Sequence, residues 1–389
     1  MATLLLAIIY MAFIGLGVPD SLFGAAMPAI IEDFSLPLSL PNIVTTLTCG
    51  CTVISSIFAT RITNRLGTAK VTALSTALTA ISLVGFSISG NLFIMCLFAI
   101  PLGLSAGAID ASLNNFVALR YSARQMNFLH CFYGVGVIIS PSLMSLMLKI
   151  ATWREGYLLA AFIQAIIALF LFASFPLWKK VCAEESAEES VSRVLSIRQM
   201  IKVPGAVYAW LLCFATNAIE ALPGAWGSAY LIYVHGLSQP EGARGLILYY
   251  LGMTLGRFCS GVLSKHLSSW RIIRLGSSLV FISIVLLAIP FGSPLVSTFG
   301  LFLIGLGNGP VYPNIVHLTP QNFGADISGS MMGSQLAFAF SGFMLSPPLF
   351  GLLAQNFGVG ALPTVLIVWF AVLILSIVLI IKTLSPQKK

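Results

Sequence analysis

Four ionisable side chains interrupt long apolar stretches of this 389-residue sequence, at Asp20, Asp110, Glu220 and Arg257. An ionisable group at the depth of a bilayer costs roughly 2.5–3.5 kcal/mol on insertion scales. Residues that a membrane protein keeps at such a cost mark proton relays, ion pathways or substrate sites. These four positions are therefore the first candidates for function.

The two aspartates are candidates for carrying a proton. Asn114 follows Asp110 by four residues, so the two share one helix face. A carboxyl group in a medium of low dielectric favours its uncharged form, which lets it bind a proton on one side and release it on the other. We expect proton coupling at Asp110 ahead of the alternative, a carboxylate paired permanently with an arginine. Asp20 follows a proline in a glycine-rich stretch, and a cap that accepts backbone N–H groups is its alternative.

Glu220 has surroundings suited to binding a solute. Pro223 and Gly224 follow it, and they predict a break or kink in its helix. Aromatic rings can stack on the apolar face of a sugar, while a carboxylate and amides hold its hydroxyls. The predicted binding residues here are Asn217, Glu220, Trp226 and Tyr230, with an interfacial aromatic as the equal alternative for Trp226.

Further candidates come from other apolar stretches. Asn114, Asn308 and Tyr312 are predicted to line the cavity and bind substrate. Arg257 is expected to form a structural ion pair or to snorkel rather than to contact substrate. Weaker candidates are His130, Tyr133, Tyr249, Tyr250, Asn314, His317 and Gln335.

The composition identifies the elements that must position these residues. Charged residues make up 8% and hydrophobic residues 58% of the chain, and the mean hydropathy is +0.98. A soluble domain carries roughly 25% charged residues, so a soluble enzyme, a disordered chain and a disulfide scaffold are excluded. Because apolar runs are too long for barrel strands, we predict an all-α integral membrane protein. The sequence contains no nucleotide-binding loop, nucleophile elbow or metal-ligand cluster, so we predict no enzyme activity and no cofactor.

Twelve apolar stretches approach the length of about 20 residues that a helix needs to cross a bilayer. The predicted spans are 3–31, 40–60, 70–89, 92–119, 125–148, 155–178, 204–234, 243–265, 271–290, 294–319, 326–354 and 360–382. The polar segment 179–203 is predicted to be a linker between six-helix bundles at 1–178 and 204–389. It carries the acidic run Glu184, Glu185, Glu188 and Glu189.

The basic residues predict the orientation. With both termini in the cytoplasm, 16 of the 20 Lys and Arg residues fall in cytoplasmic loops or tails and 3 fall in outer loops. The net charge of +8 therefore reflects topology and does not indicate a nucleic-acid partner.

The two halves repeat weakly. Gly103 and Gly107 in span 4 correspond to Gly305 and Gly309 in span 10, 202 residues later. Ser140-Pro141 in span 5 corresponds to Ser346-Pro347 in span 11, 206 residues later. Parallel repeats of six helices are typical of secondary transporters that work by alternating access.

The loop after span 2, TRITNRLGTAK at 60–70, resembles the signature of the major facilitator superfamily, Gly-x-x-x-Asp-Arg-x-Gly-x-basic-basic. Arg65 and Gly67 match, while Asn64 replaces the acid and carries no charge. The resemblance implies the major facilitator fold, with two pseudo-symmetric bundles, and a gating or structural role for Asn64, Arg65 and Gly67. A gating or structural role is also predicted for Arg257 in span 8.

Within that superfamily, four segments are similar to the fucose–proton symporter family. They are Asp110-x-x-x-Asn114, Asn127-Phe-Leu-His130-x-x-Tyr-Gly134-x-Gly136, Glu220-x-x-x-Gly224-x-Trp226-x-x-x-Tyr230 and Gly305-x-Gly-x-Gly309-Pro-x-Tyr312-Pro313. One departure is that the family's first-helix acid falls near Gly24, about one turn after Asp20.

The resemblance implies proton-coupled symport of a sugar or similar polyhydroxylated solute. We predict Asp110 as the proton carrier, together with Asp20 or Glu220. The alternatives are a proton-antiport exporter of drugs, siderophores or metabolites, a non-transporting scaffold, and coupling to sodium. Expected partners are a small-molecule solute and the lipid bilayer. We expect a monomer in the cell membrane, the inner membrane of a bacterium, with both termini cytoplasmic.

Overall fold

The computed structural model describes residues 2–37, 40–184, 193–289 and 293–384, and α-helices are the main element throughout these ranges. The helices of the first half are α1 (Ala2–Phe34), α2 (Asn42–Leu66), α3 (Thr68–Ser87), α4 (Leu92–Arg120), α5 (Ala123–Ile150), α6 (Trp153–Ala173) and α7 (Phe175–Glu184). Those of the second half are α8 (Ile197–Met200), α9 (Ala206–His235), α10 (Gln239–Leu263), α11 (Ser269–Leu287), α12 (Pro294–Asn308), α13 (Val311–Phe323), α14 (Ser328–Phe357) and α15 (Leu362–Leu384).

Within the described ranges, 12 helical segments are long and apolar enough to cross a membrane. The prediction of an all-α membrane protein with twelve spans is therefore confirmed. Span 6 is shorter than predicted, because α6 ends at Ala173 and a separate helix begins at Phe175. Span 10 consists of α12 and α13, which meet at Gly309 and Pro310. Proline lacks a backbone N–H, so it interrupts the hydrogen-bond ladder at this point.

The structure shows no break at Pro223–Gly224, because α9 is continuous from Ala206 to His235, and a kink at this point stays a prediction. A proline removes one backbone donor from its helix, and a neighbouring helix contacts this turn. The Tyr249 hydroxyl of α10 donates a hydrogen bond of 2.7 Å to the carbonyl oxygen of Glu220.

Two compact units divide the chain. Unit 1 comprises Met1–Phe116, Leu129–Val194 and Ala325–Gly333, and unit 2 comprises Val117–Phe128, Leu195–Gly324 and Ser334–Lys389. The predicted boundaries at 178 and 204 stay a prediction. Of the acidic run in the predicted linker, Glu185, Glu188 and Glu189 lie outside the described residues.

Polar side chains define several helix ends. Thr152 precedes α6 and Ser238 precedes α10, each in a capping box with a glutamate three residues later. Such a box satisfies N–H groups at the helix start that have no intrahelical partner. Arg154, in the first turn of α6, pairs with Asp33 at 2.8 Å and donates to the Ser87 carbonyl at 3.0 Å. This arginine ties the ends of three helices of unit 1 together.

Glycines let the helices of unit 1 approach one another closely. A Cβ added at Gly103 on α4 would lie 2.2 Å from the Thr48 carbonyl oxygen on α2, and one at Gly107 would lie 2.3 Å from that of Thr52. Small residues at helix crossings allow backbone contact of this kind in membranes.

Unit 2 repeats the same contacts. A Cβ at Gly305 would lie 2.2 Å from the Tyr249 carbonyl oxygen on α10, and one at Gly309 would lie 2.6 Å from that of Met253. Tyr249 and Met253 are each 201 residues beyond their counterparts Thr48 and Thr52. The weak repeat in the sequence therefore corresponds to an equivalent backbone packing in the two units.

A second pair of glycine contacts sets the register of the first membrane-spanning helix in each half. A Cβ at Gly136 on α5 would lie 2.2 Å from the Ile14 carbonyl oxygen on α1. A Cβ at Gly342 on α14 would lie 2.4 Å from the Phe214 carbonyl oxygen on α9. Because Ile14 and Phe214 are 200 residues apart, α1 and α9 correspond at that offset.

Candidate proton and substrate sites

Asp110 and Asn114 form a buried pair on α4 of unit 1. The Asn114 amide nitrogen donates to the Asp110 carboxylate at 2.6 Å and to the Asp110 backbone carbonyl at 3.0 Å. Both residues are buried, with Asn114 only 2% exposed. In the described residues no basic side chain forms an ion pair with Asp110, so the permanent pairing with arginine considered above is not what the structure shows.

His130 on α5 extends this pair. Its Nε2 lies 3.1 Å from the Asn114 side-chain oxygen. Since the Asn114 amide nitrogen donates to Asp110, its oxygen is the acceptor, and Nε2 of His130 must carry the hydrogen. The ring also packs edge-on against Phe13, with centroids 5.7 Å apart. Asp110, Asn114 and His130 therefore form one hydrogen-bonded chain across two helices.

Asp20 on α1 has its own hydrogen-bond partner on α5. The Tyr133 hydroxyl of α5 donates a hydrogen bond to the Asp20 carboxylate. Asp20 is exposed although it lies near the middle of α1, and that helix is continuous, so Asp20 does not cap a helix break. Tyr133 follows His130 by three residues, so one face of α5 supplies a partner to the Asp20 carboxylate and to the Asp110–Asn114 pair.

Glu220 and Arg257 form an ion pair in unit 2. Nη2 of Arg257 lies 3.3 Å and 3.5 Å from the two carboxylate oxygens of Glu220. The guanidinium Nε also donates to the Gly309 carbonyl at 3.3 Å, at the junction of α12 and α13. The Arg257 side chain is 6% exposed and that of Glu220 is 18% exposed. The structure thus joins two residues to which the sequence assigned separate roles.

The predicted substrate-binding amides of unit 2 are engaged with backbone. Asn308 is 1% exposed and donates to the Thr216 carbonyl at 3.1 Å. Its side-chain oxygen is buried and has no hydrogen-bond partner in the structure. Asn217 donates to the Cys213 carbonyl at 2.9 Å within its own helix. The Asn308 side-chain oxygen is therefore a buried acceptor without a donor in the structure.

The predicted aromatic ligands use their polar atoms within unit 2. The Trp226 indole N–H donates to the Pro347 carbonyl at 3.1 Å, and the Tyr230 hydroxyl donates to the Leu287 carbonyl at 2.5 Å. Tyr230 and Tyr312 are buried, and Trp226 is half-buried. A substrate role for these three residues stays a prediction.

The predicted gating loop is a sharp turn between α2 and α3. Gly67 has φ of 78°, a conformation that favours glycine, and its N–H donates to the Thr63 carbonyl at 2.7 Å. Arg65 is exposed and Asn64 is half-buried in the last turn of α2. This geometry explains the glycine, while the gating roles of Asn64 and Arg65 stay predictions.

One contributor near the site was missed by the sequence reasoning. Gln164 on α6 is 1% exposed and donates to the Gly15 carbonyl of α1, one turn before Asp20. The signal was an amide in an otherwise apolar stretch of span 6. In the described part of the chain, no three His, Cys, Asp or Glu side chains are placed to hold a metal ion.

Comparison with known proteins assigns the family. The family model of the Major Facilitator Superfamily matches residues 4–341. The chain belongs to the major facilitator superfamily. The fold predicted from the degraded signature loop and the repeat is confirmed, and members of this superfamily are transporters rather than enzymes.

This superfamily member is similar to proteins from yeast and bacteria. It is 22% identical over 397 residues to Bypass of stop codon protein 6 of Saccharomyces cerevisiae, covering 94% of this chain and 79% of that protein. It is 22% identical over 259 residues to the glucose/mannose transporter GlcP of Bacillus subtilis, covering 62% of this chain and 60% of that one.

The fold is also similar to a solved sugar symporter. A structure of the E. coli fucose:proton symporter FucP superposes with a TM-score of 0.76 at 15% identity, covering 96% of this chain and 97% of that one. The predicted resemblance to the fucose–proton symporter is confirmed at the level of fold.

Proposed function

We propose that this transporter carries out proton-coupled symport of a sugar or similar uncharged polyhydroxylated solute by alternating access. The observation that carries the proposal is the polar cluster of unit 1, in which Asp20 and Asp110 are held by hydrogen bonds alone. Neither carboxylate forms an ion pair with a basic side chain among the described residues. A carboxylate without a cation beside it is a group that a proton can neutralise.

The two carboxylates have different roles in this proposal: one exchanges the proton and the other holds it. Asp20 is exposed in the structure, whereas Asp110 is 9% exposed. We assign proton exchange with water to Asp20. We assign to Asp110 the buried carboxyl that holds the proton, with Asn114 and His130 orienting its carboxylate.

An uncharged solute suits the electrostatics of unit 2. The guanidinium of Arg257 is already neutralised by Glu220, so it does not offer an unpaired cation to an anionic solute. The unpaired Asn308 oxygen and the ring of the half-buried Trp226 are suited to the hydroxyls and the apolar face of a sugar. The relation to GlcP and the fold shared with FucP support the same substrate class.

The orientation and compartment belong to the same proposal. The 16 basic residues in one set of loops and tails, against 3 in the other, favour cytoplasmic termini. We place the protein in the cell membrane, which in a bacterium is the inner membrane, as a monomer that needs no organic cofactor.

Uptake by purified protein in proteoliposomes tests this function. A panel of hexoses, pentoses and polyols is offered with an imposed inward pH gradient, without a gradient, and with a sodium gradient instead. We expect one or more sugars to accumulate only with the pH gradient. Accumulation with the sodium gradient alone would show that sodium, and not the proton, is the coupling ion. The absence of accumulation of any sugar, together with proton-driven extrusion of lipophilic cations, would favour the exporter.

A further inference from the structure

The internal repeat places one acid at the same position in each unit. Ile14 and Phe214 provide the equivalent carbonyl oxygens at the glycine contacts of α1 and α9. Asp20 and Glu220 each lie six residues beyond these carbonyls, so they correspond at the same offset of 200 residues. Two transporter halves of common design therefore carry a carboxylate on equivalent faces of their first helices.

The neighbouring helices, α2 in unit 1 and α10 in unit 2, carry different residues at one equivalent position. The glycine contacts relate α2 to α10 at an offset of 201 residues, which places Ser56 at the position equivalent to Arg257. Ser56 is fully buried, and its hydroxyl donates to the Val53 carbonyl of its own helix at 2.9 Å. Unit 1 therefore has an uncharged hydroxyl where unit 2 has a guanidinium.

The charged and titratable groups around the two acids complete the contrast. Around Asp20 these are Tyr133 from α5, Asp110 from α4 and Cys49 from α2. None of these groups is a cation. Around Glu220 the groups are Arg257, Tyr249 and Tyr250, which all lie on α10.

We propose that Arg257 keeps the second acid of the repeat out of the proton cycle, so that protons are bound and released in unit 1 only. A proton that neutralised Glu220 would leave the buried guanidinium charged and unpaired, which is costly in a medium of low dielectric. A proton on Asp20 leaves no such charge behind. Arg257 is thus the residue that determines how many carboxyls take part in coupling. This inference rests on the proposed proton coupling but not on the identity of the solute.

Infrared titration of the purified protein in lipid tests the proposal without any solute. The C=O stretch of protonated carboxyl groups is followed across the neutral pH range in the wild type and in four variants. These are Asp20→Asn, Glu220→Gln, Arg257→Gln and the double variant Glu220→Gln/Arg257→Gln. Thermal unfolding shows that each variant is folded, and the double variant removes both charges together in case Arg257→Gln alone is unstable.

We expect the titrating band of the wild type to lose intensity in Asp20→Asn and to persist unchanged in the double variant. Arg257→Gln gains one further titrating band, which disappears when Glu220→Gln is added. Loss of the wild-type band in the double variant would overturn the proposal, as would a folded Arg257→Gln protein with no additional band. If the expected pattern appears but no sugar is transported, the proposed function fails and the assignment of the carboxyls stands.

Discussion

The amide of Asn114 lies between Asp110 and His130, donating to the carboxylate at 2.6 Å and accepting from the imidazole at 3.1 Å. An amide that donates on one side and accepts on the other fixes the roles of both neighbours. The orientation of His130 on α5 is therefore linked to the state of a carboxyl on α4. The same helix also donates to Asp20 through Tyr133, so α5 contacts both parts of the proposed proton site.

Replacing Asp110 tests the proton site directly. Asp110→Asn keeps an oxygen that can accept from Asn114 but cannot take up or release a proton. We expect loss of pH-driven accumulation, while exchange of labelled for unlabelled solute across the membrane continues. Glu32→Gln is the matched control, since Glu32 is an exposed acid on α1. Normal uphill transport by Asp110→Asn would exclude this residue as the proton carrier.

His130 is expected to position Asn114 rather than to carry the proton. His130→Leu removes the donor to the buried Asn114 oxygen, and an unpaired buried polar group costs about 1–3 kcal/mol. His130→Gln retains an N–H donor. We expect His130→Leu to lower the unfolding temperature and to alter the pH profile of uptake, and His130→Gln to restore both in large part. Equal loss of activity in the two variants would instead indicate that the imidazole itself is required.

The glycine contacts predict where a single methyl group is not tolerated. In Gly305→Ala the new Cβ would lie 2.2 Å from the Tyr249 carbonyl oxygen, so two helices must separate. Overpacking of this kind costs about 1–3 kcal/mol, and we expect a clear fall in the unfolding temperature measured in detergent. Gly24→Ala is the control, because a Cβ there meets nothing within 4 Å. Equal stability of the two variants would contradict the close packing of α10 and α12.

Tyr230→Phe separates a structural role from a substrate role. The hydroxyl donates to the Leu287 carbonyl, so its loss is expected to cost about 1 kcal/mol of stability. If this contact is its only role, uptake per folded molecule remains unchanged. Tyr233→Phe on the same helix is the control, since that side chain is 77% exposed. A large rise in the KM for uptake without a change in unfolding temperature would show that Tyr230 binds the solute.

Much of the fold could be predicted because the bilayer imposes simple rules on the chain. Twelve apolar stretches were sufficient to predict the number of membrane-spanning helices among the described residues. The weak repeat and the loop after span 2 were sufficient to predict the superfamily. The local errors arose where tertiary contacts decide. Pro223 predicted a break in its helix, but α9 is continuous there, and the Tyr249 hydroxyl of α10 donates to the Glu220 carbonyl in that turn. The helix of span 10 is interrupted instead, at Pro310.

The sequence by itself determined which residues could do chemistry, since ionisable groups in apolar helices are costly and therefore few. It could not determine which of them pair, because pairing depends on how helices far apart in the chain pack together. Only the tertiary structure joined Glu220 to Arg257 and gave Asp20 and Asp110 partners without charge. At the position equivalent to Arg257 of unit 2, unit 1 has Ser56.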